Sequence, residues 1–137
     1  MSDLEQQLTL PLLIFIRGLL KYTAVIMLLG WAVWLVAWQS YEISDSYETM
    51  ASLGDEWVLG VLFGSMGLLC GIALRVERSV VCVRRVALVL GAAYAAICGF
   101  FAFGATASTG TWIYGCIAVG HLLVWNYLRY LDGGHRG

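Results

Sequence analysis

Few residues in this chain are equipped for chemistry, and His121 stands out as a histidine inside a long apolar run. An imidazole titrates near neutral pH, and an ionisable group within a membrane-length segment marks a functional site by default. Ser65 and Tyr94 fall at comparable depth in two other apolar runs, so the three are expected to form a small polar cluster. Tyr114 and Trp125 share the helix face of His121, and Asn126 lies one turn further in, placed to pair across helices or meet interfacial water. The cluster has two readings. As a relay it would pass a proton or hold an ion. As structural glue it would contribute about 0.6 kcal/mol per bond between membrane helices, and a neutral histidine bonded to Tyr94 or Ser65 needs nothing more. The structural reading is favoured.

Other chemistry is scarce. Cys70, Cys82, Cys98 and Cys116 show neither CxxC spacing nor a companion histidine pair, so no zinc or redox motif can be built. Three of them fall in apolar segments, where free cysteine behaves as a small hydrophobe. The polar segments are short and contain no nucleophile with a base, no carboxylate pair backed by histidine and no phosphate loop. The expectation is a non-enzyme with no cofactor and no metal. The net charge of −1 gives no reason to expect a nucleic-acid partner.

The elements that must position these residues follow from composition. Hydrophobic residues make up 61% of the 137 and charged ones only 12%, so lipid is the solvent that fits. Crossing about 30 Å of hydrocarbon takes roughly 20 residues. Four runs approach that length, over residues 22–38, 57–74, 86–104 and 112–128, and none contains Asp, Glu, Lys or Arg. All eight basic residues, Arg17, Lys21, Arg75, Arg78, Arg84, Arg85, Arg129 and Arg136, fall on one side of this arrangement. Lys and Arg are retained on the cytoplasmic side, so both ends are expected there. Trp38, Trp57 and Trp112 at the outer boundaries, and Trp125, Tyr127 and Tyr130 toward the inner one, agree with that orientation.

The expected fold is therefore an all-α integral membrane protein of one domain, residues 1–137: a four-transmembrane-helix bundle with N-terminus and C-terminus inside. Residues 1–20 read as an interfacial helix, with Pro11 in a first turn and Arg17 and Lys21 interrupting an apolar run. A cleaved signal peptide is disfavoured, because Asp3 and Glu5 stand where a basic region would be. The outer loop 39–56 carries Glu42, Asp45, Glu48, Asp55 and Glu56 without a cation and reads as solvated, with Asp45 and Glu48 resembling a capping box and Gly54 placed to end a short helix. The inner loop 75–85, with Arg75, Arg78, Arg84 and Arg85, is explained by topology and would attract anionic headgroups. The tail 132–137, with His135, reads as a short disordered end.

Small residues give the most specific pattern. Gly60, Gly64, Gly67 and Gly71 recur at steps of four, three and four, confining them to an arc of roughly 60° on one helix face. Inside lipid such a face drives association by letting backbones approach closely. The third run repeats the theme with Ala87, Gly91, Ala95 and Gly99, so a tight hairpin of the second and third spans is the natural use. Met27, Trp31, Trp34 and Trp38 form an aromatic stripe on the first span, expected to face lipid.

Function reads only to class. The preferred expectation is an accessory or assembly subunit of a bacterial inner-membrane complex, or a homo-oligomer, with membrane lipid and itself or another membrane protein as partners. An oligomeric, holin-like pore is the alternative, disfavoured because Ser65, Tyr94, Tyr114, His121 and Asn126 are few for a hydrated conduit. An immunity or exclusion protein has a compatible size but no positive signal.

Overall fold

The computed structural model describes residues 3–37, 51–52, 54–103 and 109–133. Among them the chain forms four long helices and no strand. The first, α1, is continuous through Asp3–Lys21, a π-wound stretch Tyr22–Leu29 and Gly30–Ala37. It is followed by α2 (Glu56–Val76), α3 (Val80–Ala102) and α4 (Thr109–Gly133). Three helical stretches are long and apolar enough to cross a membrane: Thr9–Ala37, Trp57–Val76 and Val80–Ala102. The 25 residues of α4 fall short of that apolarity, diluted by His121 and Asn126 among others.

The segment read as an interfacial helix and the first span are one unbroken rod, and Ile16 and Leu20 are buried in the bundle. Pro11, expected in a first turn, lies inside this helix, where it removes one ladder bond. The aromatic stripe is also split. Trp31 turns inward onto Phe63 of α2, with ring centroids 5.7 Å apart, and onto Tyr114 of α4 at 6.3 Å, whereas Trp34 is exposed. The wider i→i+5 winding of Tyr22–Leu29 shifts the register that a uniform α-helix would keep. Trp38, most of the outer loop 39–56, Gly104, His135 and Arg136 lie outside the described residues.

The helices alternate in direction. A three-residue link, Glu77 to Ser79, joins α2 to α3, and Ser79 caps α3 by accepting from the Cys82 N–H at 3.2 Å. One end of the bundle is tied by basic side chains. Arg17 donates to the Leu74 and Glu77 carbonyls at the C-terminus of α2, and Arg84 of α3 pairs with Asp132 of α4 at 2.6 Å. A guanidinium at a helix C-terminus meets both unpaired carbonyls and the negative end of the dipole.

The glycine face of α2 closes against α1, correcting the expected hairpin with α3. An added Cβ at Gly67 would stand 2.5 Å from the Ala24 carbonyl oxygen, and one at Gly71 would stand 2.6 Å from Val25. Gly60 lies against Val36 and Ala32, and Gly64 lies 3.3 Å from the Ala32 Cβ by the same measure. The glycines thus meet Ala24 and Ala32 in the middle of the seam and Val25 and Val36 toward its two ends. Gly91 of α3 packs against His121 and Leu122 of α4, whereas a Cβ added at Gly99 would meet nothing within 4 Å among the described residues. A Cβ added at Gly115 of α4 would stand 3.3 Å from the Cys98 sulfur.

These distances rank the glycines. Gly67→Ala drives a methyl into backbone that cannot rotate away and is expected to lower stability by about 1–3 kcal/mol. Gly64→Ala requires a shift of a few tenths of an ångström and should cost less. Gly99→Ala is expected to be neutral or to gain up to about 1 kcal/mol through helix propensity. Thermal unfolding of the three variants in mild detergent checks the order, and equal losses at Gly67 and Gly99 would contradict this packing.

Candidate functional site

The polar cluster forms, with one member exchanged. His121 is buried in α4 and its ring stacks on Tyr94 of α3 at 5.4 Å between centroids. Its Nδ1 lies 2.7 Å from the carbonyl of Ile117, one turn back on its own helix. Its Nε2 lies 2.9 Å from the hydroxyl of Thr23, a buried residue of the π-wound stretch of α1. Tyr94 completes the set by donating its phenol to the Thr23 carbonyl. Thr23, Tyr94 and His121 therefore connect three of the four helices.

Ser65 does not join them. It is exposed on α2, and its hydroxyl donates to the Leu62 carbonyl at 3.0 Å. Depth along the helix matched, but direction around it did not. In the sequence Lys21 bounds the first apolar run, which puts Thr23 at the interface and away from the depth of His121. Once α1 continues through both residues, Thr23 lies level with His121. The signal available in sequence was a single β-branched hydroxyl in the first apolar run.

The protons of this cluster can be assigned from donor and acceptor types. A carbonyl only accepts, so Nδ1 carries a hydrogen toward Ile117. In a neutral ring Nε2 is then bare and must accept from the Thr23 hydroxyl. That hydroxyl also stands 3.1 Å from the Leu20 carbonyl. Were the ring protonated, Nε2–H would donate to Thr23 and the hydroxyl would turn to Leu20. Both protonation states are thus satisfied by one hydroxyl rotation. Yet every branch ends on a backbone carbonyl, at Ile117, Leu20 or Thr23, and a carbonyl hands no proton onward. The cluster holds a proton in place better than it passes one along.

Aromatic rings extend the contact from His121. Tyr114 stacks on Tyr94 at 6.2 Å and on Phe101 at 5.6 Å, filling the α3–α4 interface beside Trp31 and Phe63. Two buried polar atoms, Trp31 Nε1 and Thr111 Oγ1, have no hydrogen-bond partner among the described residues. A largely apolar cleft of about 370 Å³ lies between α1 and α4, with Thr23 and His121 on its wall beside Leu20, Ile117 and Val124. The described residues contain no group of three or more His, Cys, Asp or Glu placed to hold a metal. Cys70 and Cys82 are buried, Cys98 half-buried and Cys116 exposed, and all four are free thiols.

The basic loop residues lie where the helices end. Arg84 is engaged with Asp132, while Arg75, Arg78 and Arg85 are exposed. Trp125 carries Arg129 over its ring at 5.6 Å on the adjacent turn of α4.

The chain matches no protein-family model, no curated protein and no solved structure.

The cluster yields a graded expectation. Thr23→Val leaves the buried Nε2 of His121 without its partner and should cost about 1–3 kcal/mol. Tyr94→Phe removes one bond and should cost about 0.6 kcal/mol. Because valine keeps the carbonyl that Tyr94 bonds, the double variant should lose close to the sum of the two. Unfolding midpoints in detergent measure all three, and a loss well short of the sum would show that the two bonds are coupled.

Proposed function

We propose that this chain is a non-catalytic, multi-pass protein of the bacterial inner membrane that serves as an accessory or assembly subunit of a membrane complex or homo-oligomer. The observation that carries this reading is that its specialised chemistry is turned inward. His121 is bonded at both ring nitrogens within the bundle, and the glycine face of α2 is closed by α1. Much of what faces outward is apolar: Leu62, Leu69, Val119 and Leu123 are all exposed. Such a surface suits lipid or another membrane helix, and the cleft that Thr23 and His121 border is largely apolar, unlike the hydratable face a pore requires.

In this reading α4 is the fourth span. His121 and Asn126 lower its apolarity, but its ends lie level with those of α3. Arg84 bonds to Asp132 near its C-terminus, and Cys98 of α3 donates to the Thr111 carbonyl near its N-terminus. Arg17, Arg75, Arg84 and Arg129 then collect at one end of the bundle, which the retention of basic residues assigns to the cytoplasm, with both chain ends. Trp57 and Trp112 lie exposed near the opposite helix ends, where aromatic belts form.

Single cysteines introduced in a cysteine-free background at Arg78, Arg129 and Gly54 test the topology by labelling with an impermeant maleimide. Gly54 is expected to label from outside in intact cells, and the other two only after permeabilisation. Labelling of position 129 from outside would remove the fourth span. Photocrosslinkers at Leu62, Leu69 and Leu123, combined with a proton-leak assay, test the role. Crosslinks to a second copy or to another membrane protein without leakage are expected, whereas leakage abolished by His121→Ala would replace this reading with a pore.

A further inference from the structure

The seam between α1 and α2 leaves a furrow lined by those two helices alone. Two hollows lie along it, of about 380 and 500 Å³, and Leu68 lines both. Their walls step by three and four residues, from Lys21 to Ala37 on α1 and from Arg75 back to Gly60 on α2. The hollows are therefore consecutive stretches of one trough, about 24 Å long at 1.5 Å per residue. Its small floor follows from the glycines that bring the two helices together.

The trough is polar at one end. Lys21 on one wall and Arg75 on the other stand at its mouth, and neither makes a hydrogen bond or ion pair among the described residues. Below them the walls are Val25, Ile26, Leu68 and Ile72, and further down Ala32, Val33 and Gly64. Ser65 borders the far stretch, but its hydroxyl is spent on Leu62. Two cations above a hydrocarbon slot complement an anionic head carrying a long apolar chain. The trough is also longer than the roughly 15 Å from headgroup to bilayer centre, so one acyl chain fits along it in full.

We propose that this furrow is a binding site for an anionic phospholipid, its phosphate held between Lys21 and Arg75 and one acyl chain lying along Val25, Ile26, Leu68 and Ile72. Arg78 and Arg85 also attract anionic headgroups, as exposed basic residues beside a membrane do, but they have no apolar trough beneath them. The site rests on membrane placement of α1 and α2 and not on the accessory role.

The test is native mass spectrometry of the purified full chain, delipidated in mild detergent and titrated with dioleoyl phosphatidylglycerol or dioleoyl phosphatidylcholine. The wild type is expected to retain one phosphatidylglycerol in preference to phosphatidylcholine. Lys21→Gln with Arg75→Gln should weaken that retention on the order of tenfold. Leu68→Trp keeps every charge but fills the trough where its two stretches meet, and should weaken it comparably. Arg78→Gln with Arg85→Gln removes the same charge outside the furrow and should leave retention unchanged. Equal loss in the two charge variants would reduce the site to general surface attraction. Equal retention of the two lipids by the wild type would overturn it outright, whatever the variants do. A failed accessory role would leave these ratios untouched.

Discussion

The bundle hinges on Thr23, whose carbonyl and hydroxyl hold two other helices at once. Tyr94 of α3 donates to the carbonyl, and His121 of α4 meets the hydroxyl. The architecture is otherwise two close pairs, α1 against α2 along the glycine seam and α3 against α4 along Gly91 and Gly115. Apolar packing alone gives such pairs little reason to choose one mutual register, because lipid tails are as apolar as leucine. A directional bond supplies the choice. The π-wound stretch around Thr23 fits this demand, since Tyr94 and the Thr23 hydroxyl draw on the Thr23 and Leu20 carbonyls, which a regular helix would commit to its own ladder.

Close approach and polar bonding depend on each other here. Gly91 has no side chain to hold α4 away, so the His121 Cβ comes within 3.3 Å of where a Cβ on residue 91 would be. That approach puts the imidazole onto the face of Tyr94 and within reach of Thr23. On the other pair, Gly67 admits the Ala24 carbonyl, so the close approach of α1 to α2 falls one residue from Thr23. A methyl at either glycine would therefore be felt at the polar cluster as well as at the seam.

How much of this was legible in the sequence depends on which coordinate a residue reports. Periodicity fixes angle within one helix, so the shared face of Gly60, Gly64, Gly67 and Gly71 was readable, and so was the apolar length of three spans. It does not say which neighbour stands opposite that face. The small partners Ala24 and Ala32 lie in a run dominated by larger residues and form no pattern of their own. Depth was readable for Tyr94 and His121, which do meet, but depth without direction also nominated Ser65, which points elsewhere. The tryptophan stripe was projected on a uniform helix, and the π-wound stretch before it breaks that assumption.

Arg17 shows why charge made α1 hardest to read. A guanidinium within a 29-residue apolar stretch looks like a boundary, and its isolation in lipid would be costly. In the bundle it reaches the Leu74 and Glu77 carbonyls, acceptors that α2 leaves unpaired where it ends. The charge that interrupts one apolar run thus completes the end of another helix. A boundary inferred from charge holds only when no helix end lies within reach, and that is a property of tertiary arrangement, which no window along a single segment contains. Because Arg17 is satisfied by α2, α1 can extend past it with Ile16 and Leu20 still buried, and this continuation carries Thr23 to the depth at which His121 needs a partner.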